Sequence, residues 1–433
     1  MLWNNFKDWL RPFLPAHLIE FSHLLRAVVA AFWYRFPARS MTVIAVTGTN
    51  GKTTTANLIT ELLEANGERV AALTTVTLRL PGKSFFNETK MTTISPFALQ
   101  TFIAKARSLG AKFLVLETTS HAIAQRRIWG IPIEMAVLTN VTHDHLDYHP
   151  TLESYRATKA RIFRNAHFAV INKDDRNASF FERVAGGTKL TYAITNKAQV
   201  MARKLLPEAR STMFTLICPI GQVVVDLPLP GSFNVANALA AAAAVIPYGL
   251  TLAQIKKTLE HFKAVSGRME TISAGQPFTV LVDYAHTPDA FEQIYDALKG
   301  AVRGRIIHVF GATGDRDKTK RPILGALAGR NADIVIVTNE DPYTEDPHEI
   351  IDQVAAGVSR GATKAKPKIL GENFFSILDR REAVAKALQL AKRNDIVLLT
   401  GKGHERVMVV GHEHVPYNEQ QVVKEALKRL GYG

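Results

Sequence analysis

One stretch constrains this chain more than any other: Val43-Ile44-Ala45-Val46-Thr47-Gly48-Thr49-Asn50-Gly51-Lys52-Thr53-Thr54-Thr55. β-favouring residues run into a Gly/Asn turn, and from near Thr54 the apolar residues Ala56, Leu58, Ile59, Leu62 and Leu63 recur at helical spacing. A strand feeding a glycine turn and a helix N-terminus is a phosphate cradle, because backbone N–H groups and the helix dipole converge on negative oxygens. In such a cradle Gly48, Thr49, Asn50, Gly51 and Thr54 line the phosphates. Lys52 reaches the outer ones, and the Thr53 hydroxyl is placed for Mg²⁺. The usual phosphate loop has a glycine where Val46 stands, so the form here is TGTNGKTT.

The 433-residue chain has room for two or three domains. Its single cysteine, Cys218, excludes an internal disulfide framework and any multi-cysteine metal site. A net charge of +14 points to acidic partners, but no nucleic-acid motif and no long basic block is present, so nucleic acid is not an expected partner. Residues 1–40 form a separate aromatic and basic segment. It holds Trp3, Trp9 and Trp33, and a helix is expected from Ala16 to Tyr34 with Leu18, Phe21, Leu25, Val28, Val29 and Phe32 mostly on one face. Two readings stay open: a helix docked on the next domain, or an interfacial helix on an anionic membrane, with Lys7, Arg11, Arg26, Arg35 and Arg39 as its cations. The apolar run is too short to span a bilayer.

Residues 41–265 read as an α/β domain with a mainly parallel sheet, from strand-like runs at 43–47, 69–75, 113–117, 135–139 and 169–172 separated by helical stretches. Ligands in such sheets gather at the carboxyl ends of strands. Glu117 ends one strand and suits Mg²⁺, its plainer role being a helix cap; Thr119, Ser120 and His121 follow it. The segment 139–149, with three His and two Asp, is too polar for a core and reads as part of a site. Beyond it, Lys159 lies on a basic helical face and by itself reads as a solvated lysine. Asn234 and Asn237 open an Ala-rich helix, where capping is the simple role.

Residues 266–433 form a second alternating unit, expected to be doubly wound (Rossmann-like), with strands near 279–282, 306–310, 334–337 and 396–399. Each strand runs into a charged or Gly-rich loop: DYAHTP at 283–288, GATGDRDK at 311–318, NEDP at 339–342 and GKGHE at 401–405. Four such loops at one sheet edge predict a binding cleft.

These motifs together are similar to the Mur ligase family, which includes folylpolyglutamate synthetase. TGTNGKTT, NVTHDHLDYHPTLESYRATKARIF, GSFNVANALAA, GRME, DYAHTPDA, GATGDRDKTKRP and GKGHE carry the resemblance from about residue 37 to the end. It implies ATP-dependent amide formation through an acyl phosphate, in the branch that adds the third residue to a muramoyl stem peptide. By position, His145 would hold a second Mg²⁺, Lys159 would be carbamylated, and Asn234 would meet the adenine. Asp283 and His286 would serve the nucleotide, and Arg268, with Lys318 or Lys320, would steady phosphates. Thr119, Ser120, His121 and Gly401 would meet the acceptor or amino acid, Arg316 would clamp the incoming carboxylate, and Asp341 and Glu405 would face its side chain.

Two departures qualify that implication. Members using meso-diaminopimelate carry DNPR where this chain has Glu340-Asp341-Pro342-Tyr343. Losing that Arg and gaining a negative charge favours a cationic tip, so L-lysine or a similar diamine is expected. About 40 residues stand where family members have a domain for the uridine nucleotide. The acceptor is then gripped without its nucleotide, gripped by a partner, or different, a lipid-linked muramoyl peptide being one form. A folylpolyglutamate-type ligase and a non-catalytic nucleotide-binding subunit are the other classes in play. The expected setting is a monomer in the cytoplasm or at the inner membrane face.

Overall fold

The computed structural model describes residues 16–89, 91–142, 151–299 and 302–433; His145 and the rest of the 143–149 cluster lie outside the described residues, as do Trp3, Trp9, Lys7 and Arg11. The chain forms two compact units. The first runs through Ala202 and takes in Leu216–Val223 and Ala236–Thr258; the second holds Arg203–Thr215, Val224–Val235 and Leu259–Gly433.

The helices are α1 (Ala16–Trp33), α2 (Lys52–Ala65), α3 (Pro96–Ser108), α4 (Ser120–Ala124), α5 (Leu152–Ala160), α6 (Ala178–Val184), α7 (Ser232–Val245) and α8 (Leu252–Glu260), then α9 (Pro288–Leu298), α10 (Lys320–Asn331), α11 (Pro347–Gly361), α12 (Arg380–Leu390) and α13 (Glu419–Arg429). The larger sheet holds β1 (Thr42–Thr47), β2 (Val70–Leu73), β3 (Thr77–Leu80), β4 (Lys83–Phe86), β5 (Phe113–Glu117), β6 (Met135–Leu138), β7 (Phe168–Asn172), β8 (Thr188–Ala193), β9 (Val200–Pro207), β10 (Thr212–Cys218) and β11 (Gly221–Leu227). Its order is β11-β10-β9-β8-β7-β6-β1-β5-β2-β3-β4. From β2 through β5, β1, β6, β7 and β8 to the start of β9 the pairing is parallel. β1 is central, and its near-continuous apolar run is that of a strand covered on both faces.

α1 docks mainly through its alanines, with Ile19 and Leu24 half-buried beside them. Ala27, Ala30 and Ala31 are buried, whereas Leu18, Phe21, Leu25, Val29 and Phe32 are exposed on the opposite face. The helix packs against α3. A Cβ on Gly130 would stand 3.1 Å from the Ala31 methyl and 3.2 Å from the Phe36 ring, so that glycine makes room for the helix end.

The second unit holds β12 (Glu270–Ile272), β13 (Thr279–Val282), β14 (Ile306–Phe310), β15 (Ile334–Thr338), β16 (Phe374–Ile377) and β17 (Ile396–Leu399), in the order β12-β13-β17-β14-β15-β16. All pairs are parallel except β12 with β13. Leu281, Leu398 and Val335 pack with α9, α10 and α11, while Val280, Val397 and Ile336 pack with α12 and α13. Successive residues of each strand thus enter opposite cores, which is the doubly wound arrangement. α10 and α11 come into close contact through small residues: a Cβ on Gly325 or Gly329 would overlap the α11 backbone, and one on Gly357 or Gly361 the α10 backbone. β18 (Val407–Val410) and β19 (Glu413–Pro416) form an antiparallel hairpin.

Candidate active site

α2 begins at Lys52, two residues before the expected start, because Gly51 at φ 80° turns the chain directly into the helix. A side chain on Gly48 would overlap the Thr139 hydroxyl, and one on Gly51 the Asn237 carboxamide. The loop is fastened to the segment after β6 from both sides. The Asn50 N–H donates to Asn140 Oδ1 at 2.9 Å, and Asn140 Nδ2 donates to the Asn50 carbonyl at 3.1 Å. Thr139 Oγ1 donates to the same carbonyl at 2.6 Å, and the Thr142 N–H to Thr49 Oγ1 at 3.0 Å. Lys52 Nζ donates to the Thr49 carbonyl at 2.6 Å, folded back along its own loop.

Thr53 and Glu117 meet as expected. Thr53 Oγ1 lies 3.0 Å from each oxygen of the buried Glu117 carboxylate, which also accepts from Thr75 N–H at 2.7 Å and Thr75 Oγ1 at 2.9 Å. A hydroxyl and a carboxylate oriented by a neighbouring turn are the oxygen donors a hard cation takes, so these residues fit Mg²⁺. Among the described residues no group of three His, Cys, Asp or Glu is arranged to hold a metal ion. Thr119 caps α4, its hydroxyl accepting from the Ala122 N–H at 3.2 Å. Ser120 is buried with no partner for its hydroxyl among the described residues, and His121 is half-buried in the same turn.

The basic helical face around Lys159 does not leave that lysine in solvent. Lys159 is 1% exposed; its Nζ donates to the Gly48 carbonyl at 2.7 Å and lies 4.3 Å from the Tyr155 ring centroid. The fold therefore brings this amine directly behind the phosphate loop. Thr75 and Asn237 were not singled out as site residues in the sequence, and Asn140 was covered only as part of the segment 139–149. Asn237 accepts from Thr55 Oγ1 at 3.3 Å beside Gly51, whereas Asn234 lies a turn earlier, with Nδ2 donating to the Pro230 carbonyl at 2.8 Å.

In the second unit the four charged loops follow β13, β14, β15 and β17, adjacent parallel strands, so they share one sheet edge. The Asp283 carboxylate accepts from the Met269 and Ala285 N–H groups, each at 2.7 Å. Burial raises the Asp283 pKa despite those bonds and the Arg268 charge. Arg268 lies over the Tyr284 ring at 4.6 Å, and His286 Nδ1 stands 2.8 Å from the Tyr284 carbonyl. Lys320 reaches the His286 carbonyl at 3.3 Å. Lys318 is paired with Glu345 at 2.9 Å, so its charge is engaged within the loop.

The negative charge gained at Asp341 is compensated in part: Lys402, wholly buried, donates to it at 2.8 Å and to Glu405 at 2.5 Å, and the Val409 N–H adds a bond at 2.8 Å. Burial would lower Lys402; the Glu405 and Asp341 charges hold its pKa raised instead. The set Asp341, Glu405 and Lys402 still carries one net negative charge. Beside it, a side chain on Gly401 would overlap the Glu340 carboxyl, which burial pushes up to about 7 against the opposing Arg380 charge. Arg316 lies 5.9 Å from the centroid of Tyr343, a residue held at φ 50°, and Asp315 beside it is at φ 51°. Such left-handed non-glycine backbone is uncommon and gathers at functional loops.

A phosphate loop meeting an oriented carboxylate in one unit, with a doubly wound second unit rich in charge at its strand ends, defines an enzyme that works on nucleotide phosphates. The chain matches the Mur ligase middle domain over residues 46–245 and the Mur ligase glutamate ligase domain over residues 267–403. It is 39% identical to the UDP-N-acetylmuramyl-tripeptide synthetase of Roseiflexus sp. (strain RS-1), across 97% of this chain and 85% of that protein. It is 36% identical to the UDP-N-acetylmuramoyl-L-alanyl-D-glutamate–2,6-diaminopimelate ligase of Bacillus cereus, across 96% of this chain and 84% of the relative. A solved structure of a diaminopimelate ligase of that kind superposes with a TM-score of 0.68 at 34% identity, covering 94% and 84% of the two chains. The folylpolyglutamate synthase of Mycobacterium tuberculosis, solved with ADP, superposes at 0.70 over 95% and 94%, but at 19% identity this shows the fold alone. The chain belongs to the Mur ligase family, and it is an ATP-dependent ligase.

Proposed function

We propose that this ligase adds an amino acid with a cationic tip, L-lysine or a similar diamine, to a muramoyl-dipeptide acceptor in peptidoglycan precursor synthesis. It would act as a cytoplasmic monomer. The observation that carries the reaction is the phosphate loop, with Thr53 on Glu117 and Lys159 behind Gly48, in a chain similar to tripeptide synthetases along nearly its whole length. The acceptor carboxylate attacks the γ-phosphorus of ATP, forming an acyl phosphate and releasing ADP. The amine of the incoming amino acid then attacks the acyl carbon, the amide forms, and phosphate leaves. Lys52 swings from the Thr49 carbonyl to the outer phosphates, and the loop N–H groups hold them. Thr53 and Glu117 would hold Mg²⁺, which neutralises phosphate charge when bound. His145, and Lys159 as a carbamate, would complete a second ion site. Labelled bicarbonate tests the carbamate: its carbonyl resonance should be present in the parent and absent from Lys159→Arg.

Arg316 is assigned to the incoming carboxylate as a two-pronged donor. The net negative set of Asp341, Glu405 and Lys402, with Tyr343 in place of the family's second carboxylate clamp, supports an amine at the far end. The names of several relatives favour diaminopimelate as a second reading. Phosphate release from ATP with UDP-N-acetylmuramoyl-L-alanyl-D-glutamate, and lysine, ornithine, diaminopimelate or no amino acid, decides between them. Preference for diaminopimelate would sink the diamine assignment. Silence with every amino acid, from protein that binds ATP, would reject this acceptor, and arms with a lipid-linked muramoyl peptide and with folate plus glutamate would follow.

A further inference from the structure

We propose that the outward face of α1 is a docking surface for an anionic lipid bilayer. The helix has two opposed faces with different residues. Ala27, Ala30 and Ala31 are buried, with Ile19 and Leu24 half-buried beside them, so the docking side rests mainly on small residues. Leu18, Phe21, Leu25, Val29 and Phe32 recur at spacings of three and four residues on the other side, and Phe21 and Phe32 are each 62% exposed. Trp33, at the helix end, is 75% exposed. Large apolar residues commonly do the docking while polar ones face water; here most of the large apolar residues face outward, and a continuous exposed stripe of this kind marks an interaction face.

Charge selects the occupant. α1 carries one exposed acid, Glu20, before the middle of the stripe; from Phe21 to Thr60 the sequence has no Asp or Glu, while Arg26, Arg35 and Arg39 flank the stripe or follow it, and all three are exposed. Phe32 stacks at 6.5 Å on Trp129, which follows the exposed Arg126 by three residues, so aromatic rings and cations continue past the helix. A protein partner with a complementary apolar groove needs no such one-sided charge. An anionic membrane surface does, because an interfacial helix inserts its apolar side among the acyl chains while cations pair with lipid phosphates and Trp rings sit at headgroup depth. No described helix is long and apolar enough to cross a membrane, and lying in the interface requires only a stripe. None of these residues belongs to the phosphate loop at Gly48–Thr53, and the stripe does not depend on which amino acid the ligase takes.

The test is sedimentation of the full chain with phosphatidylcholine vesicles, and with vesicles that also contain phosphatidylglycerol, at low and high salt. The expected result is binding to the anionic vesicles, weakened by salt, with little on the neutral ones. Phe21→Ser/Leu25→Ser changes two exposed side chains, so it should keep the parent's melting temperature and ligase rate in solution. Its affinity for the anionic vesicles should fall about tenfold or more. Absence of vesicle binding by the full chain overturns the proposal, as does equal binding by the double variant. Sedimentation velocity provides a further check: a dimer that the double variant splits assigns the stripe to a second copy of the chain and overturns it too.

Discussion

Lys159, Lys402 and Glu340 each place an ionisable group out of water, and each is stabilised differently. Lys402 lies between two carboxylates, so Lys402→Met leaves Asp341 and Glu405 facing each other with no cation. A loss of about 3–5 kcal/mol is expected, from removing one partner of a buried pair, together with a raised KM for the amino acid; an unchanged urea midpoint would refute this. Glu340 has the opposite balance. Burial, partly offset by Arg380, pushes its carboxyl from 4.5 up to about 7. The folded state therefore binds this proton more tightly than the unfolded chain. The resulting stability is complete below about pH 4.5 and is lost as pH rises through about 7. His308, lowered from 6.5 to about 3 by burial and the Arg380 charge, acts the other way, losing stability as pH falls below 6.5. Parent and Glu340→Gln must therefore be compared at the same pH. The glutamine variant should gain up to about 3 kcal/mol on the parent between about pH 5 and pH 8. Parallel stability curves for the two proteins would show that Glu340 does not titrate in this range.

At the scale of elements, the close contact of α10 and α11 is the least tolerant feature of the second unit. A methyl at Gly357 would overlap the Pro322 carbonyl, which is backbone and cannot rotate away. Gly357→Ala should therefore cost about 1–3 kcal/mol through overpacking, although alanine is the better helix former. No change in chemical denaturation would mean that the helices separate freely. The start of α10 is held by Arg321, wholly buried, which donates to both Glu345 oxygens at 2.9 and 3.0 Å and to the Thr313 carbonyl at 3.1 Å. That ties the Arg316 loop to the Tyr343 loop. The strands and helices on which these contacts stand were legible in the sequence, because an apolar run ended by a Gly or charged turn carries its own period. β5 at 113–117, β13 at 279–282, β14 at 306–310 and β17 at 396–399 lie where the runs place them. The nearness of Thr53 and Glu117 was legible too, since Thr53 opens the helix after the phosphate loop and Glu117 ends a strand. What period cannot show is which partner a side chain meets. Lys159 looks solvated on a basic helix because its burial comes from Gly48, distant in sequence. Asp341 looks uncompensated because Lys402 comes from another strand end. The docking face of α1 was hidden for a related reason: hydrophobic residues mark an apolar face without saying whether protein covers it.

At the scale of the whole molecule, the two units have separate apolar cores, two in each: around Phe163 and Phe181 and around Leu114 and Ile103 in the first, around Phe291, Phe310 and Val354 and around Leu388 in the second. Separate cores let each unit melt as its own cooperative transition, and a ligand stabilises only the fold that binds it. The phosphate loop belongs to the first unit and Gly357 to the second. Calorimetry should therefore resolve two transitions that respond to different perturbations. Mg²⁺ with ADP at about a hundred times its Kd should add about 2.7 kcal/mol to the first unit alone. Gly357→Ala should lower the other transition and leave the nucleotide shift intact. Lys52→Ala, which removes the half-buried amine that donates to the Thr49 carbonyl, should lose the shift measured against its own melting without nucleotide. If ADP raised both transitions equally, or if Gly357→Ala lowered the nucleotide-sensitive one, the units would be melting as one cooperative body and the separate cores would not be thermodynamic units.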